Sequence, residues 1–197
     1  MEALKHRPSP PRRQAAPERM RLTRAQYHRL GEVGLFEGRR VQLIEGEVIV
    51  MAPMGADHAH PLMELNERLL RALPAGFKLR PQLPLLLGDE SEPQPDFTIV
   101  AAGDWDSSEN PSSARLAIEV SDSSLAFDLG RKAALYARFG IPEYWVLDVK
   151  ERALIVHRTP GATKYRSVKT LKDLSAVSST AVPGLTVDLR HVFARRR

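Results

Sequence analysis

The sequence predicts an α/β fold, a central mixed β-sheet flanked by helices. Two observations lead there. Segments with strand-like composition and segments of helical period are interleaved along the chain rather than segregated. A length of 197 residues suits one domain, and a hydrophobic fraction of 43% can fill a sizeable core. No internal repeat is present.

Residues 1–21 carry Pro8, Pro10, Pro11 and Pro17 among arginines and alanines, too little apolar surface to offset the entropy of ordering. They read as a disordered basic tail, and residues 194–197 as a second basic tail, around a single domain at 22–193. The first tail is either a basic arm for phosphates or a dispensable stretch, a plain extension or one that begins upstream of an initiator at Met20. The second reading is preferred, because chain ends that bury nothing tolerate removal.

Thr23 is a good N-cap for a short helix to about Gly31. Arg40 to Ile44 and Glu47 to Met51 read as strands, and Glu45-Gly46 between them as a hairpin turn. Asp57 is the expected cap of a longer helix to about Leu73, with Leu62, Leu65, Leu69, Leu70 and Leu73 at helical spacing. Strands are expected at Phe77–Leu87, Asp96–Ala101 and Arg115–Val120, with a polar loop at 103–113. A second helix is expected from about Phe127 to Phe139, stopped by Gly140 and Pro142. Glu143–Val149 and Leu154–Arg158 read as further strands, and residues 163–193 as short strands and turns.

The net charge of +5 invites a nucleic-acid reading, but its location weakens that inference. Residues 1–21 hold six basic and two acidic side chains, a net of +4, and Arg195 to Arg197 add +3; the body is left at −2. The chain has no cysteine, which excludes disulfides, thiolate zinc sites and cysteine nucleophiles. No apolar run approaches the roughly 18 residues of a membrane span, and the N-terminus lacks the apolar centre of a signal peptide. The expectation is a soluble, cytoplasmic protein.

The informative feature is a pair of acids inside apolar strands: Asp96 in Pro95-Asp96-Phe97-Thr98-Ile99-Val100, and Glu119 in Leu116-Ala117-Ile118-Glu119-Val120. A carboxylate in a half-buried sheet is costly unless it is paired, hydrogen-bonded or bound to a metal. Strand alternation puts Glu119 on a face with Arg115 and Ala117, and sends Leu116, Ile118 and Val120 into the core. Two such acids on adjacent strands could converge on one hard cation; Mg²⁺ suits this, since it takes one or two carboxylates and keeps waters or phosphates. Competing readings are a strand-entry turn for Asp96 and an ion pair with Arg115 for Glu119. Lys132 lies four residues after Asp128, and spacing alone reads that pair as a surface ion pair. Tyr136 and Trp145 read as core residues. There is no Gly-rich phosphate loop, no Gly-x-Ser-x-Gly elbow and no His-Glu-x-x-His motif.

Taken in order, several stretches resemble the Uma-type restriction endonuclease family, long described as a domain of unknown function, within the PD-(D/E)XK nuclease superfamily. They are Leu43-Ile44-Glu45-Gly46-Glu47, His58, Pro95-Asp96, Ile118-Glu119-Val120-Ser121, Asp128 with Lys132, Tyr136, Gly140-Ile141-Pro142-Glu143-Tyr144-Trp145 and Pro183-Gly184-Leu185. The resemblance spans roughly residues 22–193. It implies a restriction-endonuclease-like core and DNA phosphodiester hydrolysis. Asp96 and Glu119 would ligate Mg²⁺ or Mn²⁺, and the catalytic set would be Asp96, Glu119 and Lys132. The superfamily's lysine usually stands two residues after the glutamate; here that residue is Ser121, and the family pattern makes Lys132, on the next helix, its replacement. His58 is implied as an auxiliary residue near phosphate. Family members usually carry an acid before the Leu-Ile pair, where this chain has Gln42, a neutral amide that adds no charge. That departure points to weaker metal affinity or to the rival reading, a non-catalytic nucleic-acid-binding or interaction module. Many nucleases of the superfamily pair two copies to cut both strands, so the resemblance also implies a homodimer.

Overall fold

The computed structural model describes residues 19–53, 55–104 and 108–193. The tail segments 1–18 and 194–197 lie outside the described residues. Helix α1 (Arg24–Glu32) opens on a capping box in which Thr23 and Gln26 bond reciprocally. Strands β1 (Val41–Ile44) and β2 (Glu47–Val50) form the expected antiparallel hairpin. Both turn residues, Glu45 (φ 51°) and Gly46 (φ 76°), are left-handed, as a two-residue turn matched to strand twist requires. A Cβ on Gly46 would lie 2.5 Å from the Cβ of Arg21, so this glycine also admits the incoming chain. Helix α2 (Ala56–Ala72) follows. Its N-cap is Gly55 rather than Asp57: the extended Gly55 carbonyl accepts from the backbone of His58 and Ala59, so the helix starts ahead of the acid.

The main sheet has six strands in the order β3-β4-β5-β6-β7-β8, where β3 is Phe77–Pro81, β4 Phe97–Ala101, β5 Leu116–Ser121, β6 Glu143–Asp148, β7 Ala153–Pro160 and β8 Tyr165–Leu171. Only β5 and β6 are parallel. Their crossover is α3 (Leu125–Phe127), a π-helical turn (Asp128–Lys132) and α4 (Ala133–Arg138), run end to end and closed by Gly140 at φ 71°. A short pair, β9 (Val177–Ser178) with β10 (Thr186–Val187), completes the order. Two expected elements differ. The strand expected over 77–87 stops at Pro81, because Pro81 and Pro84 offer no ladder donor and Gln82 turns left-handed. The region after 163 contains a seven-residue edge strand, β8, whose mostly polar and exposed sequence carries little strand signal.

Both faces of the sheet are covered. On one, Leu65 and Leu69 of α2 pack with Phe97, Ile99, Leu116, Ile118, Val120 and Trp145. On the other, Leu135, Tyr136 and Ala137 of α4 pack with Ala117, Tyr144, Val146 and Ile155. The expected alternation of β5 holds, but the face carrying Ala117 and Glu119 is a second core and not solvent.

Glu143, at the start of β6, is fully buried and saturated. Its Oε1 accepts from Trp145 Nε1 (2.7 Å) and Arg158 Nη2 (2.9 Å), and its Oε2 from Thr180 N (2.8 Å), Ala181 N (3.0 Å) and two hydroxyls. Burial works to raise its pKa, but Arg158 and these donors outweigh it and hold the carboxyl below its ordinary value. The folded pKa is depressed, so its stabilisation is present above the ordinary carboxylate range and lost as pH falls through the folded value. Glu143→Ala should cost about 3–5 kcal/mol in urea unfolding, because Arg158 and a cluster of donors lose their partner together. A loss under about 1 kcal/mol would contradict this account.

Candidate active site

Antiparallel pairing brings the two strand acids together. Phe97 of β4 stands opposite Ile118 of β5, and Asp96, in the bend directly ahead of β4, lines the same pocket as Glu119. Asp96 Oδ2 accepts the backbone N–H of Val120 (2.8 Å), which fixes that carboxylate against β5. Its other oxygen faces His58 Nε2 of α2 at 3.8 Å, an ion-pair distance rather than a hydrogen bond. Glu119 Oε1 accepts from Lys132 Nζ (2.8 Å) and from the Tyr136 hydroxyl (3.0 Å). Gln42, Asp96, Glu119, Lys132 and His58 all line one pocket of about 350 Å³ at the carboxyl end of β5.

The structure replaces two of the competing readings. Arg115 pairs with Asp104 (3.7 Å) at the strand entrance, while Glu119 points under the crossover helix to Lys132. Asp128 and Lys132 are not a surface pair: both are buried, because the π-turn carrying them lies against the sheet. Lys132 Nζ is 3.6 Å from Asp128 Oδ1, and Asp128 Oδ2 accepts from Ser121 and Ser124, each at 2.5 Å. Trp145 and Tyr136 do fill the core, and Tyr136 also donates to the Glu119 carboxylate.

Sequence reasoning missed Asp128 and its two serines as part of the site. The signal available was a serine ending the glutamate strand, Ser121, followed by Ser124 four residues before Asp128. It also missed Arg131, which grips Glu45 (3.0 Å), Glu47 (2.7 Å) and the Ile44 carbonyl (2.8 Å). Arg138 also pairs with Glu45. Glu45 and Glu47 do not supply the acid that Gln42 lacks, since both are engaged by arginines and neither lines the pocket. Gln42 Oε1 accepts from the backbone of Gln94 (3.2 Å).

Burial drives the pKa of Glu119 up to about 8, reinforced by Asp128 and Asp96 and opposed by Lys132. For Lys132 burial pulls down, but Glu119 and Asp128 together raise its pKa and keep the ammonium. The Asp96 carboxylate raises the pKa of His58 against its burial. The pocket walls carry four acids, Asp96, Glu119, Asp122 and Asp128, against Arg40, Lys132 and the histidine His58. Among the described residues no group of three or more His, Asp or Glu side chains is arranged as a metal cage. Two carboxylates, Asp96 and Glu119, lining one open pocket fit a hard divalent ion that keeps water or phosphate for its other positions.

A family model for Uma2, described as "Putative restriction endonuclease", matches residues 24–190. The chain belongs to the Uma2 family. A solved structure of similar fold is described as "a putative nuclease belonging to DUF820" from Anabaena variabilis. It is 14% identical, with 88% of this chain and 98% of that one covered and a TM-score of 0.67, a likeness of fold. No curated protein matches this Uma2 chain. Among the described residues no helix is long and apolar enough to cross a membrane.

Between pH 4.5 and about 8 the folded Uma2 chain holds more proton at Glu119 than the unfolded chain does, so this group's contribution to stability falls as pH rises. In metal-free buffer, Glu119→Gln should flatten the decline in melting temperature between pH 5 and 8, by roughly 2–4 °C for each kcal/mol involved. Parallel melting profiles for the two proteins would count against a protonated Glu119.

Proposed function

We propose that this Uma2 chain is a divalent-metal-dependent endonuclease that hydrolyses DNA phosphodiester bonds, with Asp96, Glu119 and Lys132 as its catalytic set. The observation that carries the reading is that Asp96 and Glu119, two buried acids, line one pocket with a buried lysine, Lys132. The family description and the nuclease named for the solved neighbour add support. Asp96 and Glu119 would hold Mg²⁺ or Mn²⁺, which supplies Lewis acidity to the scissile phosphate when bound. A bound cation would also offset the repulsion between the pocket's acids and a polyanion.

The chain's own groups divide the remaining work. Asp96 is aligned by the Val120 N–H, and Glu119 by the Tyr136 hydroxyl. Lys132 keeps its proton and can orient the attacking water or stabilise charge developing on phosphate. His58 is biased towards its cationic form by Asp96 at the pocket wall, where it would meet a phosphate oxygen. In a plasmid and single-stranded DNA cleavage assay with Mg²⁺ or Mn²⁺, Asp96→Ala and Lys132→Met should each lose at least about a hundredfold in rate. Cleavage by wild type and Asp96→Ala at equal rates would end the proposal.

Gln42 favours a second reading, a non-catalytic nucleic-acid-binding module. The neutral amide occupies the pocket wall and brings no charge to a cation. Calorimetry with Mn²⁺ separates the two. The nuclease reading expects saturable binding lost in Glu119→Ala and tightened by Gln42→Glu; the module expects no metal binding by wild type.

A further inference from the structure

Lys132 sits between two acids whose free and occupied oxygens differ. On Glu119, Lys132 and Tyr136 both donate to Oε1, while Oε2 receives no hydrogen bond among the described residues. On Asp128, both serine hydroxyls donate to Oδ2, and Oδ1 faces the ammonium at 3.6 Å. The lysine is thus bonded to one carboxylate, at 2.8 Å, and within reach of a second whose partner oxygen is already fixed. A divalent cation on Glu119 and an ammonium on the same carboxylate repel each other at short range. Because Tyr136 shares Oε1, Glu119 keeps an anchoring donor when the lysine leaves.

We infer that Lys132 has two berths, and that Asp128 is a positioning residue which takes the ammonium from Glu119 when a divalent cation loads. The motion is short, since the second berth is 3.6 Å from the nitrogen before any movement. The loaded site then has Glu119 turned to the cation and Lys132 held beside it by an acid that does not itself bind the cation. This inference rests on the metal-binding reading above and adds a residue to it.

The test is a double-mutant cycle read by Mn²⁺ calorimetry on metal-free protein: wild type, Asp128→Asn, Lys132→Met and the double variant, with folding checked by circular dichroism. Asp128→Asn should weaken Mn²⁺ binding by about tenfold or more, because the lysine then competes for Glu119 with no second berth. In the Lys132→Met background the same change should cost less than about threefold, so removing the lysine rescues the loss. Equal losses in both backgrounds would make Asp128 merely one more negative charge, and no loss in either would give it no role; both overturn the inference. A crystal structure of wild type with Mn²⁺ tests it without any variant. Nζ should lie about 3 Å from Asp128 Oδ1 and off Glu119 Oε1, and an ammonium still on Glu119 overturns the idea. If wild type binds no Mn²⁺, the metal-binding reading falls and this inference with it; binding with an additive cycle overturns only the inference.

Discussion

Glu119 lies in the central strand of a sheet covered on both faces, where a carboxylate is expensive unless its surroundings are built for it. The surroundings are built for it only in part. Lys132 and Tyr136 approach one oxygen, while Asp96 and Asp128 add negative charge nearby. Much of the nearby polar architecture follows from that constraint. The π-turn carries the ammonium inward, Ser121 and Ser124 fix one oxygen of the second acid, and Asp96 is fixed by the backbone of the same strand.

The contrast with Glu143 separates two uses of a buried glutamate. Both lie on parallel neighbours β5 and β6, and both are buried. Glu143 is surrounded by donors on both oxygens, and its charge is stabilised. Glu119 has donors on one oxygen and like charges around it, and its charge is penalised. A fully satisfied carboxylate holds the fold together; an under-satisfied one facing a pocket is primed for a ligand. The two should therefore move stability in opposite directions with pH.

The legibility of the fold followed its local signals. The Thr23 cap, the Glu45-Gly46 turn and the stop at Gly140 are written in neighbouring residues, and they appear where chain chemistry puts them. Strand β8 was not legible, since an exposed edge strand needs no apolar alternation. In the site, the two acids were legible because an acid in an apolar strand demands a reason. The burial of Asp128 and Lys132 was not. A spacing of four describes an ion pair equally well in water or against a sheet, and only long-range packing decides which. Tyr136 reads as core by composition, and its hydroxyl's partner lies 17 residues away on another element.

The π-turn has a further consequence, one of helical phase. Four residues of α-helix advance by slightly more than a full turn, and four residues of the wider π-turn by slightly less. Asp128 to Lys132 spans the π-turn, and Lys132 to Tyr136 spans α-helix. The two angular errors oppose each other, so three side chains stay in one line over the strand beneath. An unbroken α-helix would let that line drift steadily around its axis. The widened turn acts as a vernier, correcting the pitch of the helix to the line of β5.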